Sequence, residues 1–597
     1  MAISASEACA IQNEYSQLMF SSNGQLGWVE RSERTSYVPQ VWTESAGVQQ
    51  RLSPPEYAVL SRVHEYGGRA WCWGKNAIYF VESRSQQLFS LCLETLECRQ
   101  LTQCINSRFM EPLWQDRFDT ILAIEEQHGN DHVINRVVSV NRLTGEVTVL
   151  HDECDFYAGL TLHPNQLELA FVAWNLGEMP WSQTHFCIGR CNDRGQWVIE
   201  EFIDRVPQSI AMASYDRNGV LHLVSDKSGF WTIHRYSSNH RSLTPVTHDA
   251  SDQISSPWQS GMVQYCFTET NQLLHLRFTQ ASVELVVNGS RVEIEGINHF
   301  REIVHYAGRT VLIAAGMNKS LHLLELSQNG ETTELTDSQP TITSSPVLPR
   351  MIQFEVDGTP VSGFYYAPQH PAEAPAPLLM LMHGGPTSAT YPVYNSLIQF
   401  WCSNGFAVFD LNYRGSSNSG RAYRYALHKQ WGVAEVQDVH AAADHLVELG
   451  LAMQDRLFIR GRSSGGYSAL LAARENRRFR ALTSYFGVTN PKTLRQSTHK
   501  FESRYLDWLL PDDAQRISAD TLCKGIASPV LFLQGMQDVI VTPDQTRDFQ
   551  EQLLSRGVHS EVVYFPDEGH GFRKRENQAR SLEVELDFYL RTLTGNQ

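Results

Sequence analysis

From about residue 15 to 340, apolar and polar residues alternate in short runs with a period of two, the signature of half-buried strands. Helical periodicity is nearly absent there. One phrase recurs: a turn containing Asn, Asp or Gly, an alternating strand, then a second strand. It stands at SSNGQLGWVE (21–30), WGKNAIYFVE (73–82), WQDRFDTILAIEE (114–126), LHPNQLELAFVAW (162–174), YDRNGVLHLVSD (215–226), TETNQLLHLRF (268–278) and YAGRTVLIAAG (306–316). These seven phrases lie roughly 40–55 residues apart, the spacing of propeller blades, each of which needs neighbours to bury both its faces. A pair of β-sandwiches is the alternative, and persistence of the period over some 300 residues favours a seven-bladed β-propeller.

The segment TDSQPTITSSPVLPR (336–350) is rich in Pro, Ser and Thr and reads as a linker. Beyond it the pattern changes. PLLMLM (377–382), FAVFDLNY (406–413), RLFIRG (456–461), ALTSYFGV (481–488), PVLFLQG (529–535) and EVVYFP (561–566) are continuous apolar runs, as expected of strands buried on both faces. Amphipathic stretches such as VAEVQDVHAAADHLVELG (433–450) and TPDQTRDFQEQLLSRG (542–557) separate them. Strand and helix in alternation predict a parallel α/β sheet. The expected organisation is an N-terminal segment over 1–14, a propeller over 15–340 and an α/β-hydrolase domain over 341–597.

Composition narrows the function classes. The chain has 597 residues, 42% hydrophobic and 19% charged, with a net charge of −16 spread along its length. That balance opposes nucleic-acid binding. The eleven cysteines form no CxxC pair. The nearest two, Cys187 and Cys191, lack a companion pair of metal-ligand type, so the sequence predicts reduced thiols, a cytoplasmic setting, no metal and no cofactor. The first residues, MAISASEACAIQNEYSQ, show neither a basic nor an apolar leader region, and no run approaches membrane-spanning length. No membrane partner is expected, and a homo-oligomer is left open.

The stretch RLFIRGRSSGGYSALLAA (456–473) places Gly461, Ser463 and Gly465 as G-x-S-x-G between a strand and a helix. That context makes the pattern a nucleophile elbow, whose tight turn excludes side chains two residues either side of the serine. Ser464 has Arg462 in the corresponding position, so Ser463 is the candidate nucleophile and Ser464 contributes its backbone N–H to an oxyanion site at the helix start. A serine needs a base, and the base an acid, in the chain order Ser, acid, His. Asp538 follows the strand PVLFLQG, and His570 follows EVVYFP in a glycine-flanked loop. Asp544, Asp567 and Glu568 compete for the acid's role. Asp544 opens a helix, and the other two lie too near His570 to reach behind its ring. The tyrosine of LNYRGSS, Tyr413, ends a strand at the same sheet edge and is the expected second oxyanion donor. The HGGP series at 383–386 is the other candidate region, interrupted by Pro386.

HGGP, NYRGS, GRSSGGY, GMQDVIV and DEGHGF, in this order behind a propeller, resemble the prolyl oligopeptidase family of serine peptidases, and within it bacterial proteins of dipeptidyl aminopeptidase or acylaminoacyl-peptidase type. The resemblance implies Ser463, Asp538 and His570 as the triad, Tyr413 as oxyanion donor, an acyl-enzyme, and a propeller whose central opening and adjoining cleft admit short peptides but not folded proteins. It also implies that the first dozen residues lie against the hydrolase domain. Two departures weaken a dipeptidyl peptidase reading. The adjacent glutamates at Glu125–Glu126 and Glu200–Glu201 stand outside the expected helical insertion, and the position two after the catalytic acid is Ile540 rather than Asn. The stretch QSTHKFESRYLDWL (496–509) follows the strand after the nucleophile, where the family builds its specificity pocket. Phe501, Arg504 and Tyr505, with Val488 and Ile540, are the substrate-binding candidates. The expected activity is hydrolysis of short peptides of acylaminoacyl or oligopeptidase type. The alternative is a carboxylesterase or amidase acting on a small ester or amide.

Overall fold

The computed structural model describes residues 2–595, apart from 11–12, 131, 205, 340–344, 371–373, 475–477 and 513–518. The chain divides into two compact units. One comprises 12–316 and 320–338; the other comprises 1–11, 317–319 and 339–597.

The first unit is a propeller of seven four-stranded antiparallel sheets, each built from four strands consecutive in sequence. The blades span 14–51, 71–100, 107–151, 156–202, 210–245, 265–292 and 299–334. Among the described residues no strand is exchanged between the first and last blades, and side chains bridge them. Glu302 of blade 7 is buried and accepts the backbone N–H groups of Gln17 and Leu18 of blade 1, at 3.0 and 2.9 Å. Arg309 reaches Glu44 across the same seam at 2.9 Å. Elsewhere the device repeats: Glu111 accepts from Gly159 and Leu160, and Gln17 accepts from Ala70. Each acceptor satisfies N–H groups that a bulge or blade edge would leave unpaired.

One feature departs from the expected open centre. The segments entering blades 2 and 6 pair with each other, Gly68 opposite Ser260, and Arg69 donates its N–H to the Ser260 carbonyl at 3.0 Å. These blades stand three places apart around the ring, so the pairing crosses its middle. A Cβ on Gly68 would lie 2.7 Å from the Ser260 oxygen. The close approach of the two backbones therefore requires glycine.

The second unit is an eight-stranded sheet flanked by helices. Its strands are β1 (Arg350–Val356), β2 (Thr359–Tyr366), β3 (Leu378–Met382), β4 (Ala407–Asn412), β5 (Leu457–Arg462), β6 (Ala481–Tyr485), β7 (Val530–Gly535) and β8 (Ser560–Phe565). Their order is β1-β2-β4-β3-β5-β6-β7-β8. β3 to β8 run parallel and β1 and β2 antiparallel to their neighbours. β4 to β7 are almost wholly buried, which explains their unbroken apolar sequence. The β1–β2 hairpin was absent from the strands read off the sequence. It turns at Asp357 and Gly358, both with positive φ (51° and 73°), as a two-residue hairpin turn requires.

The N-terminal residues belong to this unit. Ile3, Ala5, Ala8 and Cys9 are buried in its core with Phe400, Trp401 and Leu582. Ile3 N–H donates to Ser403 Oγ at 2.9 Å, and Ser396 Oγ donates to the Ala8 carbonyl at 2.7 Å. Among the described residues, no helix is long and apolar enough to cross a membrane.

Candidate active site

The elbow follows from steric facts about three residues. β5 ends at Arg462 and a helix begins at Ser464, leaving Ser463 at φ 52°, ψ −119°, a backbone conformation costly for any residue with a side chain. A Cβ on Gly461 would stand 1.9 Å from the Gly465 oxygen, and one on Gly465 would stand 2.2 Å from the Met382 oxygen. Both positions must therefore be glycine for the turn to close. The strain holds the serine at the carboxyl end of the sheet, where open α/β sheets bind ligands.

Ser463 Oγ lies 2.9 Å from His570 Nε2, and His570 Nδ1 lies 2.9 Å from Asp538 Oδ2. In the arrangement these contacts allow, Ser463 donates to Nε2 and Nδ1–H donates to the carboxylate. Asp538 is buried, and its other oxygen accepts the N–H groups of Ile540 and Val541, both at 2.9 Å. The imidazole packs edge-on against Phe486, with ring centres 5.0 Å apart. Its loop can close because Gly535, at the end of β7, leaves room: a Cβ there would meet the Gly569 oxygen at 2.4 Å.

The three competing acids are engaged elsewhere. Glu568 is buried and accepts the N–H groups of Arg573 and Lys574, at 2.8 and 2.9 Å, bracing the histidine loop. Asp567 pairs with Lys574 and accepts from Asn577, and Asp544 pairs with Arg547.

Tyr413 is engaged with the HGGP loop. Its ring is fully buried and stacks on His383, with centres 4.1 Å apart. The hydroxyl donates to the His383 carbonyl at 2.9 Å, and the Pro386 carbonyl lies 3.3 Å away. A phenol has one proton to give, and this one is committed to the HGGP backbone. The residue braces the loop that the sequence had set aside. His383, which sequence reasoning did not single out, fixes the same loop. Burial pushes its imidazole down to about 4, so it is neutral, with Nδ1 on the Gly384 carbonyl (2.9 Å) and Nε2 on Ser416 Oγ (2.7 Å). The loop lies against the elbow: a Cβ on Gly384 would stand 3.3 Å from the Arg462 oxygen and 3.9 Å from Ser463 Cβ.

A second residue missed by the sequence is Gln534, on β7. It is fully buried and donates to Asp538 Oδ2 (3.3 Å) and the Val541 carbonyl (3.0 Å), while accepting from Thr546 Oγ1 (2.8 Å). Its signal was the one polar side chain inside the run PVLFLQG.

The substrate-binding candidates divide. Val488 is buried, and its N–H reaches the Ser463 carbonyl at 3.3 Å, so it adjoins Ser463. Ile540 is half-buried beside Asp538. Phe501 and Tyr505 are buried, and Tyr505 Oη lies 2.8 Å from Thr387 Oγ1 next to the HGGP series. Arg504 is a correction: its side chain is 57% exposed and pairs with Asp507 one helical turn away. The adjacent glutamates also have local tasks. Glu126 accepts from His64 N–H at 2.9 Å, and both pairs lie within strands.

Residues 392–596 match the profile of the Prolyl oligopeptidase family. Dipeptidyl aminopeptidase BIII of Pseudoxanthomonas mexicana is 28% identical over 267 residues, 43% of this chain and 37% of that protein. The acylamino-acid-releasing enzyme of Arabidopsis thaliana is 26% identical over 32% of this chain and 27% of its own length. The chain thus spans well under half the length of these curated relatives. Among solved structures, a Mycobacterium tuberculosis puromycin-hydrolyzing peptidase superposes with a TM-score of 0.91 and 26% identity, covering 99% of this chain and 96% of its own. A puromycin hydrolase superposes with a TM-score of 0.92 at 24% identity over the same shares, a likeness of fold.

Proposed function

We propose that this chain, whose residues 392–596 match the Prolyl oligopeptidase family profile, is a serine peptidase that cleaves short peptides through an acyl-enzyme. The observation that carries the reading is the unbroken relay from Ser463 through His570 to Asp538, with both hydrogen bonds at 2.9 Å. Ser463 Oγ attacks the scissile carbonyl as His570 Nε2 takes its proton, and Asp538 holds the imidazolium that forms. The oxyanion meets the N–H of Ser464, which opens a helix and has no acceptor within it. The second donor in this reading is the Gly384 backbone N–H, in the loop that Tyr413 and His383 brace. His570 then passes its proton to the leaving amine, and water hydrolyses the ester by the same route in reverse. Val488, Ile540, Phe501 and Tyr505 supply the apolar lining, and the propeller limits substrates by size. A cytoplasmic setting suits the reduced thiols.

The full-length likeness to a puromycin-hydrolyzing peptidase favours a second reading, in which the preferred substrate is a small aminoacyl amide such as puromycin. One experiment separates them: kcat/KM for a series of free-amine peptides, N-blocked peptides, simple esters and puromycin, with an intact folded protein alongside. Preference for N-blocked or longer peptides supports the peptidase reading, and preference for puromycin the amide reading. Rapid degradation of the folded protein would overturn the size limit.

A further inference from the structure

Blades 3 and 4 of the propeller meet at a cluster of five metal-ligating side chains remote in sequence from the triad. His151 ends the outermost strand of blade 3, Val147–His151. Cys154 lies in the turn that follows. His185 and Cys187 lie on the blade 4 strand His185–Cys191, and Glu201 lies on Trp197–Phe202. His185 and Cys187 are two apart on one strand and so share a face, and Glu201 is the cross-strand partner of Cys187.

The distances are those of a coordination shell. Cys154 Sγ lies 3.6 Å from His185 Nε2 and 3.4 Å from Glu201 Oε1. Glu201 Oε1 lies 3.4 Å from His151 Nε2, and Oε2 lies 3.6 Å from His185 Nε2. Ligands about 2.0–2.3 Å from a tetrahedral Zn(II) stand roughly 3.3–3.8 Å from one another, so the edges from Glu201 Oε1 to Cys154 and to His151 fit such a site. The ligand atoms of His151, Cys154 and Glu201 lie within 4.8 Å of one another, as do those of His185, Cys187 and Glu201.

We propose that His151, Cys154 and Glu201 bind one Zn(II), tying blade 3 to blade 4, with His185, 3.6 Å from Cys154 Sγ, beside them. The donor set favours zinc over a hard cation: a thiolate and an imidazole suit a borderline-soft ion, whereas Mg(II) and Ca(II) take oxygen shells. One thiolate and one carboxylate neutralise the double charge, which a buried site requires. Binding expels the Cys154 proton, since the thiolate is the ligand form. The surroundings already orient one imidazole. Tyr157 Oη lies 2.9 Å from His151 Nδ1 and accepts the Cys154 N–H at 2.7 Å. With Nδ1–H on that oxygen, Nε2 is left to the metal. Cys187 is fully buried beside His185 and backs the site.

The residue spacing hides this cluster from sequence patterns. His-x2-Cys and His-x-Cys are separated by 30 residues, and the fifth member is a glutamate from another strand.

The test uses the full chain stripped with a chelator, then titrated with Zn(II) against a chromophoric competitor. The expected result is one Zn(II) per chain with a Kd below about 1 µM, together with a rise in melting temperature, since a ligand bound only by the folded state stabilises it. Titration of the stripped wild-type chain with Co(II) should give a thiolate-to-metal charge-transfer band. This readout needs no variant. Cys154→Ser should abolish that band, and Glu201→Gln, at the half-exposed rim, should weaken binding at least tenfold. Cys92→Ser, in blade 2, should change neither. No binding below about 10 µM, a Co(II) spectrum without a thiolate band, or binding undiminished in both site variants would overturn the proposal.

Discussion

Replacing Tyr413 by Phe separates two roles that the same residue could play. In a direct oxyanion role, loss of the hydroxyl would remove one transition-state donor and cost kcat on the order of 100- to 1000-fold, with the fold intact. The structure gives the hydroxyl another task, donating to the His383 carbonyl at 2.9 Å from a fully buried ring. Its loss leaves a part-buried carbonyl short of a partner, at a cost of up to about 1–3 kcal/mol. The phenylalanine ring keeps the stacking on His383, so no cavity larger than the hydroxyl forms. For a unit of about 250 residues, 1 kcal/mol moves the melting temperature by about 2–4 °C, so a fall of roughly 2–12 °C is expected. The kcat should drop only as far as the HGGP loop loosens, well short of a hundredfold. The assay pairs a thermal melt with steady-state kinetics on one chromogenic ester. A hundredfold or greater loss of kcat with an unchanged melting temperature would refute the bracing role and return Tyr413 to the oxyanion site.

Gly465→Ala should abolish serine labelling and lower the melting temperature, because its Cβ would stand 2.2 Å from the Met382 oxygen and 2.7 Å from the His383 oxygen, both backbone atoms. A variant with wild-type activity would show that the elbow is looser than drawn. Burial pushes Glu435, beneath the elbow helix, from an ordinary 4.5 up to about 7. The folded state therefore holds a proton that the unfolded chain releases, so this group's contribution to stability is present below about pH 4.5 and is lost as pH rises through 7. Glu435→Gln should remove that decline, changing the stability difference between wild type and variant by about 3 kcal/mol between pH 4.5 and 7 in denaturant titrations. Parallel curves would contradict it.

Elements set by local rules could be read from the chain. Seven phrases of turn and strand correspond to seven blades because each blade repeats the same order of turn and antiparallel strand, and the parallel strands showed as unbroken apolar runs because both their faces are buried. Ser463 could be identified because its turn excludes side chains at 461 and 465, a constraint written directly in glycine. What could not be read depends on contacts between distant segments. The hydroxyl of Tyr413 could serve either an oxyanion or a backbone carbonyl, and only the fold of the HGGP loop decides between them. Gln534 and His383 act through neighbours that the sequence does not place beside them. The crossing of the ring by Gly68 and Ser260, and the meeting of His151 with Glu201, join residues that no local pattern connects. Arg504 was misplaced for a related reason: an aromatic-rich stretch suggested a pocket, but the helix turned its charge to solvent and Asp507.

The central claim is that Ser463 is the nucleophile, activated by His570. Fluorophosphonate labelling followed by peptide mass mapping tests it most directly. The account predicts one modified serine, Ser463. Labelling and hydrolysis should both be lost in Ser463→Ala, with kcat falling on the order of 10⁴-fold or more. Ser464→Ala should still label, since it keeps the backbone N–H that the oxyanion uses. Adduct on another residue, or labelling that survives Ser463→Ala in a folded protein, would contradict the account.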